Sequence, residues 1–391
     1  MHICFITNEY PKLDFPHGGV GTFIHTIAHN LIDKGHKVSV IGINVYTKIN
    51  ENEKDAGISV FRLKPKKIRG LTWYFNSQSI NRKLEEVHSK TPIDIVETAE
   101  LGLSFIKKLN SIKYVIRLHG GHHFFSESEN RKVSWWKGFQ EKRSFKNADA
   151  FIAVSKFVKS HTAKYLSYHN KPIEIIRCPI NLNVFKPKPE IEKEKNTILF
   201  AGTVCEKKGI NQLLMAMPKV IEKNKEAELF VYGRDWFFKD GSTYIDYLKK
   251  DILPKLGKAE KHVHFMGAIP FKTLANKYAS AEVCVFPSLM ETQGLVAPEA
   301  MAMNKLVIFS NCGSGPETIT HKKTGLLCDP YNSDDIANQI NWVLNHNQEC
   351  KNIAENARAF VLANFEINII TQENLDFYNC ILNHTNIDVF I

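Results

Sequence analysis

Nowhere in the 391 residues does an apolar run reach the roughly 18 positions that a membrane-spanning helix needs, so no transmembrane helix is expected. The eight cysteines (4, 178, 205, 284, 312, 328, 350 and 380) are scattered, with no two within four positions of each other, which excludes a zinc knuckle and a thioredoxin-type pair. Cys4 and Cys284 sit inside apolar, strand-like runs, where a reduced thiol acts as a small hydrophobe; a cytoplasmic protein without structural disulfides is expected. No internal repeat and no low-complexity tract occurs. The opening HICFI is only a strand's worth of apolar residues and runs straight into Thr7, Asn8 and Glu9, so no signal peptide is expected. What the chain does have is 43% apolar and 24% charged residues, the mixture of an ordinary globular protein, and a length that suggests two or three domains. Lysine and arginine exceed aspartate and glutamate by 51 − 41 = 10. Three kinds of partner fit that surplus: nucleic acid, an anionic membrane surface, or a negatively charged small substrate.

Short β-rich runs alternate with helical periodicity. Strands are expected at 2–6, 37–43, 58–63, 93–96, 114–118, 150–154 and 173–176, with intervals long enough for crossover helices. The first helix is well marked: Val20, Phe23, Ile24, Ile27, Ala28 and Leu31 follow the three-four spacing of one apolar face, and Gly35 supplies a C-terminal cap. Residues 181–196 (NLNVFKPKPEIEKEKN) hold two prolines, many charges and little apolar content, and read as a linker. The alternation then restarts, with strands at 197–201, 228–232, 263–266, 283–286 and 306–309. Such alternation implies an α/β architecture of two doubly wound parallel sheets with helices on both faces. The last helical stretch, with Ile367, Ile370, Leu375, Phe377, Tyr378 and Ile381, has no strand to serve and is expected to cross back to the first domain. The domains are thus 1–182, 183–366 and a returning helix, 367–391.

The most specific string is FPSLMETQGLVAPEAMAM at 286–303. A strand ends at Phe286 and Pro287, a loop carries Glu291, Gly294 opens a helix, and Glu299 is expected in its second turn. Pro298 is tolerated there because the first amides of a helix have no internal partner to lose. The amides of Gly294, Leu295 and Val296 would point out of the helix N-terminus, which attracts phosphate. Two carboxylates eight positions apart, flanking that place, suit holding sugar hydroxyls, since each accepts several hydrogen bonds.

This string resembles the hallmark of the retaining family 4 glycosyltransferases, F-P-S-x-x-E-x-x-G-x-x-x-x-E-A-M-A, and the resemblance extends over nearly the whole chain. It implies the GT-B fold: two facing Rossmann-like domains, the first for the acceptor and the second for a nucleotide-sugar, with no metal ion. By that resemblance Glu291 contacts the donor sugar and Glu299 the ribose. Asn8 to Thr22 (NEYPKLDFPHGGVGT) resembles the loop that closes over the sugar-diphosphate, in which Gly18, Gly19 and Gly21 let backbone approach a phosphate. His119, after Arg117 and Leu118, resembles the family's histidine near the reacting sugar. The string GTVCEKKG at 202–209 resembles G-R-L-x-x-x-K-G; Lys208 would set an ammonium on the diphosphate, while Thr203 replaces the family's arginine, so that either Lys207 or Arg234 compensates or the donor diphosphate is bound less tightly. Gly233 and Arg234 close the next strand, where the family binds the nucleotide base. Ser314-Gly315-Pro316-Glu317 resembles the family's glycine-rich turn, and Arg177 to Asn181 departs from its asparagine-glycine-x-Asp.

The function implied is transfer of a sugar, with retention, from a nucleotide-sugar (UDP-linked first, GDP-linked second) to a glycan, lipid-linked or small-molecule hydroxyl, in cell-surface polysaccharide or glycolipid synthesis. The competing readings are a UDP-N-acetylglucosamine 2-epimerase and a non-catalytic nucleotide-sugar binder. A dinucleotide-dependent dehydrogenase fails, because Gly19-Val20-Gly21 is followed by Ile24 where a third glycine belongs and the second strand ends in Asn44 instead of an acid. No nucleic-acid signature occurs. His122 and His123 lack a further ligand at metal-binding spacing, so no metal is assigned. Two basic-aromatic runs remain: RLKPKKIR, from Arg62 to Arg69, and VSWWKGFQEKR, which carries Trp135 and Trp136 and ends at Arg143. Either they are solvated surface with one tryptophan in the core, or they face an anionic membrane on its inner side.

Overall fold

The computed structural model describes residues 1–383 except 14, 16, 17, 129 and 130. The chain forms two compact units, one made of Met1–Pro179 with the segment that begins at Ile367, the other of Ile180–Glu366.

In the first unit eight strands lie edge to edge in the order Glu51–Asp55, Ile58–Leu63, Lys37–Ile43, His2–Ile6, Ile95–Ala99, Lys113–Leu118, Ala150–Ala153 and Ile173–Ile175. All neighbours are parallel except the first pair, which is antiparallel. His2–Ile6 is buried along its whole length, the expected state of a central parallel strand covered on both faces. Helix Gly19–Asp33 lays Phe23, Ile24, Ile27, Ala28 and Leu31 on the core. It stops where Gly35 takes a positive φ of 81°. The Gly35 amide then donates to Ile32 O and the His36 amide to Leu31 O, which satisfies the last carbonyls in a Schellman turn. The Glu51–Asp55 strand is an addition to the sequence reading. Its five residues are all polar or charged, so no apolar alternation marks it; the turn that follows, with Ala56 and Gly57 both at positive φ, is the local signal.

A buried polar cluster attaches the C-terminal helix Ile367–Leu382 to this unit. Arg117 is 1% exposed. It donates through Nε to Glu97 Oε1 at 2.7 Å and through Nη2 to Glu97 Oε2 at 3.1 Å. Asn374 and Tyr378, one turn apart on the helix, complete it: Arg117 Nη2 also donates to Asn374 Oδ1, and the Tyr378 hydroxyl donates to Glu97 Oε2 at 2.5 Å. The returning helix therefore supplies the polar groups that two buried charges require.

The second unit has one six-stranded, all-parallel sheet in the order Val263–Gly267, Glu228–Tyr232, Thr197–Ala201, Val283–Phe286, Leu306–Ser310 and Leu326–Cys328. Alternate residues feed the two faces: Ile198, Phe200, Val283 and Val285 pack into one core cluster, Leu199, Cys284 and Phe286 into the other. The chain winds one way from Thr197–Ala201 and then the other, so the switch point lies between that strand and Val283–Phe286, where ligands bind in open α/β sheets. Residues 181–196, read as a linker, belong instead to this unit. Phe185 is 4% exposed within its core, and the far end of the segment is held by Glu282, which accepts from Lys193 Nζ at 2.9 Å and from the Asn196 amide at 2.6 Å.

One more buried carboxylate shapes the first unit's strand ends. Glu100 accepts from the Gly120 amide at 2.7 Å, and burial, with the Glu141 charge adding to it, raises its pKa to about 8.

Two outcomes are expected. Arg117→Met strands Glu97 in the core and lowers unfolding free energy by about 3–5 kcal/mol, while Tyr378→Phe costs about 1–2 kcal/mol, both read from urea denaturation. Glu100 holds its proton to about pH 8 in the fold but only to about 4.5 in the open chain, so its contribution to stability declines as pH rises through that window. Glu100→Gln, which keeps an acceptor for Gly120, should flatten that decline; an unchanged slope counts against it.

Candidate functional site

At the switch point of the second unit, two loops close on each other. After Thr197–Ala201 the chain turns through a short 3-10 segment, Glu206–Lys208, to Gly209 at φ 68°. A Cβ there would lie 1.8 Å from the carbonyl oxygen of Pro287, so only glycine lets the loops meet. The Leu289 amide donates to Lys207 O at 2.9 Å across the same junction. The contact brings Lys208 to Glu291: Nζ forms an ion pair with Oε1, and Ser288 Oγ donates to the same oxygen at 2.9 Å. Burial pushes the Lys208 ammonium down, the Glu291 carboxylate pushes it up, and the second prevails, so its pKa is raised.

The backbone of Glu291 is fixed from a third strand end. The Ser314 amide donates to Glu291 O at 3.3 Å, and a Cβ on Gly313, at φ 64°, would lie 2.8 Å from that oxygen. Gly294, at φ 71°, sits over Phe309, whose Cζ a Cβ would meet at 2.6 Å. Ser288 and Gly313 were not singled out from the sequence, although Ser288 stands three residues before Glu291 in the motif itself.

Helix Val296–Ala302 begins two residues later than its motif suggests, which puts Glu299 in the first turn instead of the second. The first internal bonds run from Ala297 N to Gly294 O and Glu299 N to Leu295 O, so the amides of Gly294, Leu295 and Val296 precede the helical ladder. Glu299 is buried, faces the Tyr278 hydroxyl at 3.5 Å, and is raised by burial to about 8. Nothing local in the sequence links Tyr278 to Glu299; the strand order brings them together.

The neighbouring strand ends are laced through backbone. Gly202 N donates to Tyr232 O, Gly233 N to Gly267 O and Val204 N to Arg234 O. A Cβ on Gly233 would lie 1.7 Å from Gly202 O, which accounts for that glycine by close approach. Of the two cations weighed beside Thr203, Arg234 is the one that reaches it, with Nε 3.3 Å from Thr203 Oγ1. Lys207 instead lies over the Trp236 ring, 6.0 Å from its centroid.

In the first unit, His119 follows strand Lys113–Leu118 and meets the Phe23 ring at 5.3 Å. Burial, with the Arg117 charge adding to it, lowers its pKa to about 3, so the imidazole is neutral. Gly18 and Gly21 have steric duties toward Glu9: a Cβ would lie 2.6 Å from its Oε2 in the first case and 2.0 Å from its carbonyl oxygen in the second, whereas Gly19 has open space. Asp14, Pro16 and His17 of that loop lie outside the described residues. His122 and His123 are spoken for: the Ser134 amide donates to His122 Nε2 at 2.9 Å, and His123 pairs with buried Glu141.

Trp136 of the second run packs against Trp73, which stands just beyond the first run, with ring centroids 5.4 Å apart. Neither tryptophan of the second run is core: Trp135 is 80% exposed, stacked on Phe139, and Trp136 is half-buried. Arg62 departs from the reading, being 4% exposed and bound to Glu53 and to the Tyr10 and Pro11 carbonyls; Lys64, Lys66, Lys67 and Arg69 are the exposed cations. No helix among the described residues is long and apolar enough to cross a membrane.

Comparison with known proteins adds to this geometry. Residues 17–184 match the family model described as Glycosyltransferase Family 4, and residues 183–360 the one described as Glycosyl transferases group 1. An uncharacterized glycosyltransferase of Methanocaldococcus jannaschii is 28% identical over 403 aligned positions, covering 97% of this chain and 98% of that one. A sucrose-phosphate synthase from Thermosynechococcus elongatus matches with a TM-score of 0.85 at 22% identity, over 98% of this chain and 100% of the other. The Anabaena protein HepE, crystallised with UDP and glucose, matches with a TM-score of 0.76 at 18% identity, over 97% and 99%. With the fold given by the structural matches and the family by the two models that together span both units, the chain belongs to glycosyltransferase family 4: a retaining GT-B enzyme that transfers a sugar from a nucleotide-sugar.

Proposed function

We propose that the donor's diphosphate and sugar are handled by the Lys208–Glu291 pair at the second unit's switch point, the single observation that carries this reading. In the resting arrangement each charge satisfies the other. A bound diphosphate would draw Lys208 and the amides of Gly294, Leu295 and Val296 to its oxygens, releasing Glu291 to accept from the sugar hydroxyls. Arg234, beside Thr203, adds a cation where Thr203 stands in place of the family's arginine. Glu299, protonated below about pH 8, offers a ribose one donor and one acceptor. Gly233 belongs to the base-binding edge, and Gly18, Gly19 and Gly21 to the loop that closes over the donor.

As the bond from the anomeric carbon to the diphosphate oxygen breaks, that oxygen takes the acceptor's hydroxyl proton on the same face, and the acceptor oxygen bonds to the carbon. Lys208 neutralises the departing charge, and the neutral imidazole of His119 serves the reacting sugar as a hydrogen-bonding group. The donor is a UDP-sugar; the complex of HepE with UDP and glucose supports that choice. The acceptor is a membrane-borne or lipid-linked glycan hydroxyl, a reading supported by the exposure of Trp135, Phe139, Lys64, Lys66 and Lys67 on this unit.

Glu291→Ala should lower turnover of the cognate UDP-sugar by well over tenfold; a loss smaller than that, about 1.4 kcal/mol in barrier, removes the assigned role. Product analysis in the same assay separates transfer from epimerisation, since only transfer requires an acceptor. In sedimentation with anionic liposomes, the protein should co-pellet at low salt and be released by added salt, and the double substitution Trp135→Ala, Phe139→Ala should weaken the binding. Failure to pellet at low salt excludes the membrane face.

A further inference from the structure

Outside the residues assigned to transfer, helix Gly19–Asp33 presents His25 and His29 one turn apart, and strand Glu51–Asp55 ends by delivering Asp55 to the same face. His25 Nε2 lies 3.7 Å from Asp55 Oδ2, and His29 Nε2 lies 3.4 Å from Asp55 Oδ1. One ligand atom from each residue lies within 4.8 Å of the others, and among the described residues this is the only cluster of three or more such side chains. We propose that His25, His29 and Asp55 form a site for a divalent transition-metal ion of the zinc or cobalt type, which clasps the edge hairpin to the first helix and takes no part in sugar transfer.

Four ligands placed tetrahedrally at zinc distances lie about 3.3 Å from one another, so the two histidine-to-aspartate spacings are already close to what an ion requires. The tautomer of His29 points the same way. Its Nδ1 lies 2.8 Å from the carbonyl oxygen of His25, which can only accept, so Nδ1 carries the hydrogen. In the neutral ring the lone pair is then on Nε2, the atom that faces Asp55. A backbone carbonyl on the far nitrogen is the usual support of a metal-bound imidazole, and it leaves Nε2 as the ligand atom facing Asp55.

Asp55 is held for the task as well. The Tyr10 hydroxyl, on a side chain 1% exposed, donates to Asp55 Oδ2 at 2.6 Å, which orients the carboxylate and leaves Oδ1 toward His29. The turn through Ala56 and Gly57, both at positive φ, fixes where the strand ends. All three ligands are partly exposed, so an ion has access from solvent and water can complete its coordination. Two imidazoles and one carboxylate suit zinc-type ions, whereas magnesium and calcium prefer oxygen ligands alone.

The test uses the full chain, stripped with a chelator, kept reduced and titrated with Co²⁺. The expected result is one ion per chain, with the visible absorption of low-symmetry Co²⁺, displaced by Zn²⁺, and a rise in melting temperature when Zn²⁺ is added. His25→Gln, His29→Gln and Asp55→Asn should each weaken binding at least tenfold and abolish the Zn²⁺-dependent rise, with the far-ultraviolet spectrum confirming that each variant folds. Three variants at partly exposed positions keep the result independent of any one that misfolds. The proposal is overturned if binding does not saturate by millimolar Co²⁺, if the variants bind like the parent, or if a thiolate charge-transfer band places the ion on cysteine. Because the readouts are binding and melting, they are independent of whether the reading of Glu291 and Lys208 holds.

Discussion

Taking a carboxyl group out of water is unfavourable unless donors replace the solvent, and this chain buries or half-buries such groups repeatedly where segments must be held. Glu97 takes Arg117 and Tyr378; Glu100 takes the Gly120 amide; Glu141 takes the His122 and His123 amides; Glu282 takes Lys193 and the Asn196 amide; Glu291 takes Lys208 and Ser288. Each acid ties together segments that are apart in sequence. The result is a set of strand-end loops whose geometry is set by hydrogen bonds with few alternatives, which is what a site for positioning a sugar and a diphosphate requires.

The two glutamates of the sequence motif, eight positions apart, end up in opposite chemical conditions. Glu291 pairs with the Lys208 ammonium and accepts from the Ser288 hydroxyl. Glu299 is enclosed by core, with a phenol as its partner, and burial keeps it protonated to about pH 8. One helix turn and one loop therefore present a carboxyl group tied to a cation and, in Glu299, one that can also donate. The difference comes from what the strand order brings beside each acid, namely Lys208 in one case and Tyr278 in the other.

Much of this was legible in the sequence, and the reasons are particular. The central strands are apolar along their whole length, so runs such as those at 2–6 and 283–286 stand out without any partner information. The pairing of Lys208 with Glu291 was foreshadowed only as two motifs; their contact depends on Gly209 packing against the Pro287 carbonyl, a tertiary fact. The strand Glu51–Asp55 went unseen because its stability comes from side-chain partners elsewhere, including Lys12 and Arg62, and not from an apolar face. Residues 181–196 imitate a linker because their charges are genuinely solvated in places, while Phe185, with Leu182, Val184 and Ile191 packed against the same core, and the distant Glu282 do the anchoring. The partners of the buried acids are invisible for the same reason: Arg117 and Asn374 are separated by more than half the chain.

That last separation has a consequence for synthesis. The second unit is a single uninterrupted stretch of chain, whereas the first is split, with its closing helix made last. As the polypeptide leaves the ribosome, Glu97 and Arg117 are both present long before Asn374 and Tyr378 exist. The first unit must therefore wait, incompletely satisfied at its centre, while the entire second unit is translated and free to fold. Of these two units, the one whose chain emerges earlier is thus the later to be completed.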